Sequence, residues 1–124
     1  QKNISHKAID AGADTVLGAH THVTQGIEMY NGKPIFYNLG NFMFDQSNTA
    51  THRAYFVNFN LTGDNVTATV YPVDLVNYLP HFMSASDGRA LLEELNPQCS
   101  DLSITDSGTG KLSFKLGNNT TSNQ

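Results

Sequence analysis

Asn31-Gly32-Lys33 lies between two β-rich runs, residues 26–30 and 34–37. Asn-Gly between such runs is a strong short-range signal for a hairpin, because both residues accept the left-handed backbone of a tight turn. We therefore predict an antiparallel hairpin here, to which the neighbouring elements must fit.

Residues 53–61 and 66–76 form a second pattern of this kind. The first run alternates apolar and polar side chains, and the second is rich in β-branched residues. Gly63-Asp64-Asn65 supplies the turn between them. Pro72 has no amide hydrogen, so we expect an edge or a bend in the last strand. The two runs predict a hairpin that extends a sheet covering the core.

The first ten residues have the pattern of the last turns of a helix, in which Ile4, Ala8 and Ile9 share a face. Gly12 can end this helix, and residues 15–17 follow as a short buried strand. A helix followed at once by a buried strand is typical of layered α/β proteins, so we predict the fold class α/β. Because no N-cap precedes the helix, we also expect polypeptide upstream of Gln1.

The second half of the chain is less regular. Residues 79–82 break the strand pattern, and Ser84 or Ser86 can then cap a short helix that contains residues 90–95. Asn96-Pro97 ends that helix. Residues 100–110 are predicted as a loop, Leu112, Phe114 and Leu116 as a possible last strand, and 117–124 as a polar, disordered tail.

Composition excludes several classes of protein. The net charge is −4 without a basic stripe, so we expect no nucleic-acid partner. The apolar runs are too short for a transmembrane helix, although an upstream membrane anchor would not be visible here. The single cysteine, Cys99, excludes an internal disulfide. Asn-X-Ser/Thr sequons, for example at Asn60 and Asn65, suit a cell-surface or extracellular protein.

His20 and His22 follow the predicted strand 15–17 directly, separated by Thr21. A loop at the end of a strand can turn both rings toward one centre, and neutral imidazole is a common ligand of transition metals. The alternative is a pair of loop histidines that are hydrogen-bonded to carbonyls or water. The spacing alone leaves both interpretations open.

The sequence around these histidines is more specific. Its ordered motifs are Ala11-Gly12-Ala13-Asp14, Gly18-Ala19-His20-Thr21-His22-Val23, Gln25-Gly26-Ile27-Glu28 and Gly32-Lys33-Pro34-Ile35-Phe36-Tyr37-Asn38-Leu39-Gly40-Asn41-Phe42. This string resembles the CapA, or PGA_cap, capsule-synthesis proteins of the calcineurin-like metallophosphatase superfamily. The resemblance is strong over residues 8–45 and looser through the following strands and the helix near Leu91.

The resemblance implies a calcineurin-like metallophosphatase sandwich, of which this chain is the C-terminal part, with two β-hairpins and a short helix. Residues 1–98 would belong to that domain, and residues 99–124 would form a loop, a possible last strand and a polar tail. It also implies that His20 and His22 each supply one ligand to two divalent metal ions (Mn, Fe or Zn). Two such ions can promote hydrolysis of a phosphoester.

Asn41 is the candidate catalytic residue. It follows a strand that should lie beside the histidine strand, so its amide could orient a histidine or a substrate oxygen. The alternative is an Asx turn. Asp45 could support the ligands or be a solvated loop carboxylate, whereas Asp14 is interpreted as a turn or cap residue. We expect Thr21 to fix the histidine loop through its hydroxyl.

The remaining histidines and aromatic residues receive structural interpretations. His6, His52 and His81 lack ligand spacing, so they are expected to be surface or hydrogen-bonded histidines. Five aromatic residues could form a binding wall, but their strand spacing favours a place in the core. These are Tyr30, Phe36, Tyr37, Phe42 and Phe44.

Two functions follow from these observations and the resemblance. The first is a metal-dependent phosphoesterase-like domain in a protein of poly-γ-glutamate capsule synthesis or export, completed by an upstream segment of the same protein. The second is a non-catalytic cell-surface protein that binds or guides an anionic polymer. The substrate would accordingly be a phosphoester or an anionic polymer.

Overall fold

The structure is a computed structural model that describes residues 1–97, 99 and 101–117. Two helices and eight strands are described, with one 3-10 helix, Thr49–His52, between the third and fourth strands. They are α1 (Lys2–Asp10), β1 (Val16–Leu17), β2 (Thr24–Tyr30), β3 (Lys33–Leu39), β4 (Arg53–Thr62), β5 (Asn65–Val76), β6 (Leu79–Phe82), α2 (Ala85–Leu95), β7 (Ser103–Ile104) and β8 (Gly110–Lys115). This composition confirms a mixed α/β protein.

The first sheet has three strands in the order β1-β3-β2. β2 and β3 form the predicted hairpin, with Tyr30 paired to Lys33. Asn31 and Gly32 make the turn with φ angles of 50° and 73°, which is the left-handed backbone that Asn-Gly tolerates. β1 pairs in parallel with β3, so the end of β1 and the end of β3 meet at one edge of the sheet.

The second sheet has five strands, with β4-β5-β8-β7 in order and β6 also paired to β5. The β4–β5 hairpin confirms the second predicted hairpin. Residues 79–82 were predicted to break the pattern, but they form β6, whose four residues pair with the end of β5. Similarly, the predicted loop 100–110 contains the short strand β7, which pairs with β8.

Pro72 lies inside a central strand, which corrects the expected edge. β5 pairs with β8 up to Val70 and with β6 from Val73, so Pro72 sits where the neighbour changes. On this side of β5, the amide hydrogen that proline lacks is therefore not needed by β8 or by β6. The Pro72 carbonyl still accepts a hydrogen bond from the Met83 amide, at 3.2 Å.

The main core lies between the two sheets and α2. Ile27 and Phe36 of the first sheet and Tyr55 of the second are each almost fully buried. α2 contributes its leucines to the same core, which are Leu91, Leu92 and Leu95. Ser84 begins α2 as predicted, accepting a hydrogen bond from the Asp87 amide at 3.2 Å.

α1 covers the other face of the first sheet through Glu28. The Glu28 carboxylate accepts hydrogen bonds from His6 at 3.2 Å and from the Tyr37 hydroxyl at 2.5 Å, and Lys2 lies 3.6 Å away. The His6 ring also stacks on Tyr30, with ring centroids 3.7 Å apart. These contacts confirm a hydrogen-bonded role for His6.

Burial differs from the apolar pattern at two places. Ile4 shares a face with Ala8 and Ile9 in the helical pattern, but it is 74% exposed, whereas Ile9 and Ser5 are buried. The strand at 15–17 was expected to be buried, but Leu17 of β1 is 52% exposed. β1 is the outer strand of its sheet in the described part of the chain, so one of its edges lacks a neighbouring strand.

Within the described ranges, neither helix has the length and apolar character needed to cross a membrane. Apart from Gly117, the predicted polar tail falls outside the described residues.

Candidate active site

The histidine loop begins at Gly18, where the backbone after β1 is in direct contact with the backbone of β3. The Gly18 amide donates to the Phe36 carbonyl at 2.7 Å, and the Gly18 carbonyl accepts from the Leu39 amide at 3.3 Å. A Cβ atom at Gly18 would lie 2.0 Å from the Tyr37 carbonyl oxygen. Only glycine allows this approach, which brings the loop to the end of β3.

His20 and His22 adopt left-handed backbone conformations, with φ angles of 95° and 63°. This conformation is costly for residues with a side chain and is found preferentially at functional sites. The two rings lie near each other, with centroids 6.4 Å apart and planes tilted by 45°. The Thr21 hydroxyl donates to the Val23 carbonyl at 3.1 Å, as expected for a residue that fixes the loop.

Asn41 reaches the histidine loop from the end of β3. Its Oδ1 atom lies 2.8 Å from Nδ1 of His22, while its Nδ2 atom donates to Oε1 of Gln46 at 3.0 Å. Nδ2 also lies 3.4 Å from the Thr51 backbone carbonyl, which can only accept. This carbonyl fixes the orientation of the amide, so Oδ1 must face His22.

The orientation of Asn41 in turn fixes the tautomer of His22. Because Oδ1 only accepts, Nδ1 of His22 carries the hydrogen and donates it. In the neutral ring, the Nε2 atom then carries the lone pair that can bind a metal. Asn41 is buried, so this arrangement is shielded from competing water.

The loop after Asn41 is held by its own hydrogen bonds. Asn48 begins the 3-10 helix, and its side chain accepts from the Ala50 amide at 3.0 Å. The Thr51 hydroxyl donates to the Asn48 carbonyl at 2.6 Å, and His52 binds the Gln46 carbonyl at the same distance. Gln46 and Thr51 were not predicted as part of the site. The only local signal was the Asn48 cap followed by threonines.

Gly40 joins the two sheets just before Asn41. It has a φ angle of 80° and forms a bridge with Ala54 of β4. A Cβ atom there would lie 2.6 Å from the Arg53 carbonyl oxygen. The side chain of Asn38 accepts from the Gly40 amide at 3.0 Å, so the position of Asn41 is set by both sheets.

Several predicted residues lie elsewhere or have other partners. Asp45 is exposed, and its neighbour Gln46 contacts Asn41 in its place. Asp14 was interpreted as a turn or cap residue, but its carboxylate instead joins distant parts of the chain, accepting from Lys33 at 2.7 Å and from the Gly117 amide at 2.8 Å. These two hydrogen bonds lower the pKa of the Asp14 carboxyl. His81 is an exposed residue of β6.

The aromatic residues divide between core and surface. Phe36 is in the core as expected. Phe42 and Phe44, also expected in the core, are 50% and 45% exposed because they lie on the loop after β3. The Phe44 ring packs against His22 with centroids 4.9 Å apart, so it forms one wall of the site.

Comparison with known proteins identifies the family. Residues 1–46 match the family model described as "Bacterial capsule synthesis protein PGA_cap". The chain is 41% identical over 81 residues to "PGA biosynthesis protein CapA" of Bacillus subtilis, covering 64% of this chain and 21% of that protein. It is 35% identical over 119 residues to "Capsule biosynthesis protein CapA" of Bacillus anthracis, covering 94% of this chain and 29% of that protein. The chain belongs to the PGA_cap family.

The PGA_cap match contains the whole histidine loop, β3 and Asn41. A "Probable polyglutamine synthesis accessory protein" of Mycobacterium tuberculosis is 39% identical over 51 residues, which cover 41% of this chain and 13% of that protein. The chain thus spans less than a third of the length of each of these three relatives.

The donor set of this PGA_cap chain fits part of a metal centre. Two neighbouring imidazoles, one with a fixed tautomer, are suitable nitrogen ligands. Within residues 1–97, 99 and 101–117, however, no group of three His, Cys, Asp or Glu side chains could hold an ion. Since a tight site needs about four ligands per ion, the described residues would supply only some of the donors of such a centre.

Proposed function

We propose that this chain is part of a metal-dependent phosphoesterase-like domain in a capsule-synthesis protein. His20 and His22 would each give one ligand to a pair of divalent ions such as Mn, Fe or Zn. The remaining ligands would come from an upstream segment of the same protein. The names of two relatives, which refer to capsule and PGA biosynthesis, support the assignment to this process.

The contact of 2.8 Å between Oδ1 of Asn41 and Nδ1 of His22 is the observation that carries this proposal. A histidine whose Nδ1–H is held by an amide oxygen presents Nε2 as a ligand in one direction. The close His20 ring and the left-handed backbone at both positions support the same role. A pair of unspecialised loop histidines would not need either feature.

The residues of this chain would perform three tasks in the reaction. When bound, two divalent ions supply Lewis-acid stabilisation of the charge on phosphoryl oxygens. His20 and His22 would hold them, and Asn41 would orient His22, which makes Asn41 a positioning residue. Phe44 would exclude water from one side of the His22 ring.

The test uses the full-length protein with Mn²⁺ and a generic aryl phosphate. We expect hydrolysis by the wild type, loss of activity in both His20→Ala and His22→Ala, and no change in His81→Ala, which alters an exposed histidine on β6. Elemental analysis should find stoichiometric transition metal, reduced in the two loop variants. Full-length protein that neither contains nor binds a transition metal would contradict the ligand assignment.

A second candidate function is binding or guiding of an anionic polymer at the cell surface, without catalysis. It is favoured by the incomplete donor set of the described residues. Asn60 and Asn65, which begin two of the sequons, are exposed on strands, in keeping with a cell-surface or extracellular location or an upstream membrane anchor. Absence of hydrolysis with any divalent metal, together with polymer binding, would favour this function.

A further inference from the structure

The second sheet has a face that points away from the core. Along β4 and β5, the inward residues such as Val66 and Val70 are buried, while the alternate residues face outward. We define the outer face as these outward positions of β4, β5 and β8. In the strand register these positions form rows across the sheet. Their side chains are aromatic at one end of the face and polar or basic beyond it.

One end of the outer face is aromatic. Phe56 and Tyr71 are paired across β4 and β5, and their rings stack with centroids 4.7 Å apart. The ring centroids of Phe82, in β6, and of Phe42 lie 5.9 Å and 6.1 Å from that of Phe56. These four residues are the aromatic cluster. They cover the small apolar cluster around Val73, yet Phe82 remains 72% exposed.

Polar side chains, two of them lysines, fill the rows beyond the aromatic cluster. Three rows follow in the strand register, and they are Asn58-Thr69-Lys111, Asn60-Thr67-Ser113 and Thr62-Asn65-Lys115. With about 3.3 Å per residue, the outer face is about 20 Å long from the aromatic row to the last row. An extended polymer can contact several of its units over this length.

The charge on the outer face is opposite to that of the chain. Lys111 and Lys115 are exposed, and no Asp or Glu occupies an outward position of β4, β5 or β8. The chain as a whole has a net charge of −4. The two lysines therefore make the outer face complementary to an anionic ligand.

The backbone of β5 is not free to bind a peptide strand. Peptide polymers are commonly bound by adding a strand to an open sheet edge, and in the described part of the chain such an edge belongs to the outer strands β4 and β7 and not to β5. The outer face itself offers side chains. Exposed aromatic rings pack against the apolar faces of sugar rings, and amide and hydroxyl side chains hydrogen-bond to sugar hydroxyls.

We propose that the outer face binds an acidic polysaccharide. The aromatic cluster would pack against a sugar ring, the Asn, Thr and Ser rows would bind hydroxyls, and Lys111 and Lys115 would bind carboxylates. The proposal rests on the second candidate function, because it names the polymer and the surface that binds it. It does not require the metal centre.

The test measures binding of the full-length protein to immobilised polygalacturonate, a neutral glucan and poly-γ-glutamate over a range of NaCl concentrations. We expect polygalacturonate to bind most tightly. Lys111→Gln/Lys115→Gln should weaken its binding about tenfold at low salt and flatten the salt dependence, because exposed ionic contacts are screened. Phe82→Ala should weaken it about tenfold at every salt concentration, because that contact is apolar.

Matched controls lie on α1, which covers the opposite side of the molecule. Lys2→Gln/Lys7→Gln changes the net charge by the same amount, and Ile4→Ala removes a similarly exposed apolar side chain. Both should bind like the wild type, as should His20→Ala, which separates this proposal from the metal centre. Circular dichroism should show that every variant is folded.

Three results would overturn the proposal. Two of them are the lack of polygalacturonate binding and an equal loss of binding in the α1 controls. The third is poly-γ-glutamate binding as tight as polygalacturonate binding and insensitive to Phe82→Ala, which would show that sugar rings are not what the face recognises.

Discussion

Replacement of Asn41 tests how the site is held together. Asn41→Ala removes hydrogen bonds to His22 at 2.8 Å and to Gln46 at 3.0 Å, with a weaker one to the Thr51 carbonyl at 3.4 Å. At about 1 kcal/mol for each of the two shorter bonds, we expect a loss of about 2 kcal/mol in the free energy of unfolding. Loss of the group that orients a metal-binding histidine should also weaken metal affinity about 10- to 100-fold.

Asn41→Asp is the informative companion variant. It keeps an oxygen facing Nδ1 of His22, so the ring should keep its orientation and most of its metal affinity. However, it places a second oxygen opposite the Thr51 carbonyl and Gln46, where the amide hydrogens were. Stability should therefore fall at least as far as in Asn41→Ala, while metal affinity stays closer to that of the wild type.

The tautomer can be measured directly in the metal-free full-length protein. Long-range ¹⁵N–¹H spectra should show that Nδ1 of His22 is protonated and Nε2 is not, with the signals assigned by their loss in His22→Ala. In Asn41→Ala this preference should disappear, and urea denaturation gives the stability change. A His22 protonated at Nε2 in the wild type, or identical behaviour of the two Asn41 variants, would refute the reasoning.

Three further predictions concern stability and use urea denaturation of the full-length protein. Gly18→Ala should cost about 3 kcal/mol or prevent folding, because its Cβ would lie 2.0 Å from the Tyr37 carbonyl oxygen. Burial by itself would raise the pKa of the Glu28 carboxyl, but its hydrogen bonds and the nearby cations outweigh burial, so the pKa lies below its usual value of 4.5. The stability that the ionised carboxylate gives should therefore be lost as the pH falls below 4.5. Glu28→Gln should flatten that acid-side loss and lower stability by about 1–3 kcal/mol at pH 7. Asp14→Ala should destabilise more than Lys33→Met, by about 1–3 kcal/mol, because it leaves a buried ammonium without its carboxylate.

Gly18→Ala has a matched control, and each of the three predictions has an outcome that would contradict it. Gly26→Ala, in the middle of β2, brings a Cβ only to 3.4 Å from the Leu95 carbonyl oxygen, so it should be nearly neutral. A Gly18→Ala variant as stable as Gly26→Ala would contradict the packing argument. If stability fell at acidic pH as steeply in Glu28→Gln as in the wild type, Glu28 would be excluded as the source of that loss. A Lys33→Met variant with a lower free energy of unfolding than Asp14→Ala would contradict the ion-pair argument.

The hairpins were predictable because their signals are local. Asn31-Gly32 and Gly63-Asp64 define turns by their own backbone preferences, and the flanking alternation defines the paired strands. By contrast, β6 contains Pro80 and only four residues, and it becomes a strand through pairing with β5. Pairing of this kind depends on another strand, so the sequence of a short segment does not show a recognisable strand pattern.

The sequence indicated that Asn41 should lie near the two histidines, as it does, but not how its amide is oriented. The position of Asn41 followed from the parallel arrangement of β1 and β3, which places the ends of both strands together. The sequence could not show that the Thr51 carbonyl orients Asn41, because that contact depends on the path of residues 42–50. The exposure of Phe42 and Phe44 has the same cause, since strand spacing does not apply on that loop.

Backbone strain in the histidine loop yields a last prediction. His20 is exposed, with a φ angle of 95°, where a side chain costs about 1–2 kcal/mol relative to glycine. Against this, glycine lowers the free energy of unfolding by about 0.5–1 kcal/mol, because it has more conformational freedom in the unfolded chain. His20→Gly should therefore raise the free energy of unfolding by about 0.5–1 kcal/mol, while His20→Ala keeps the strain and should not. Both should lose metal affinity. Since glycine would fold more favourably here, a stabilised but metal-free His20→Gly protein would show that the imidazole serves chemistry and not the fold, whereas a destabilised one would show that the ring itself supports the loop.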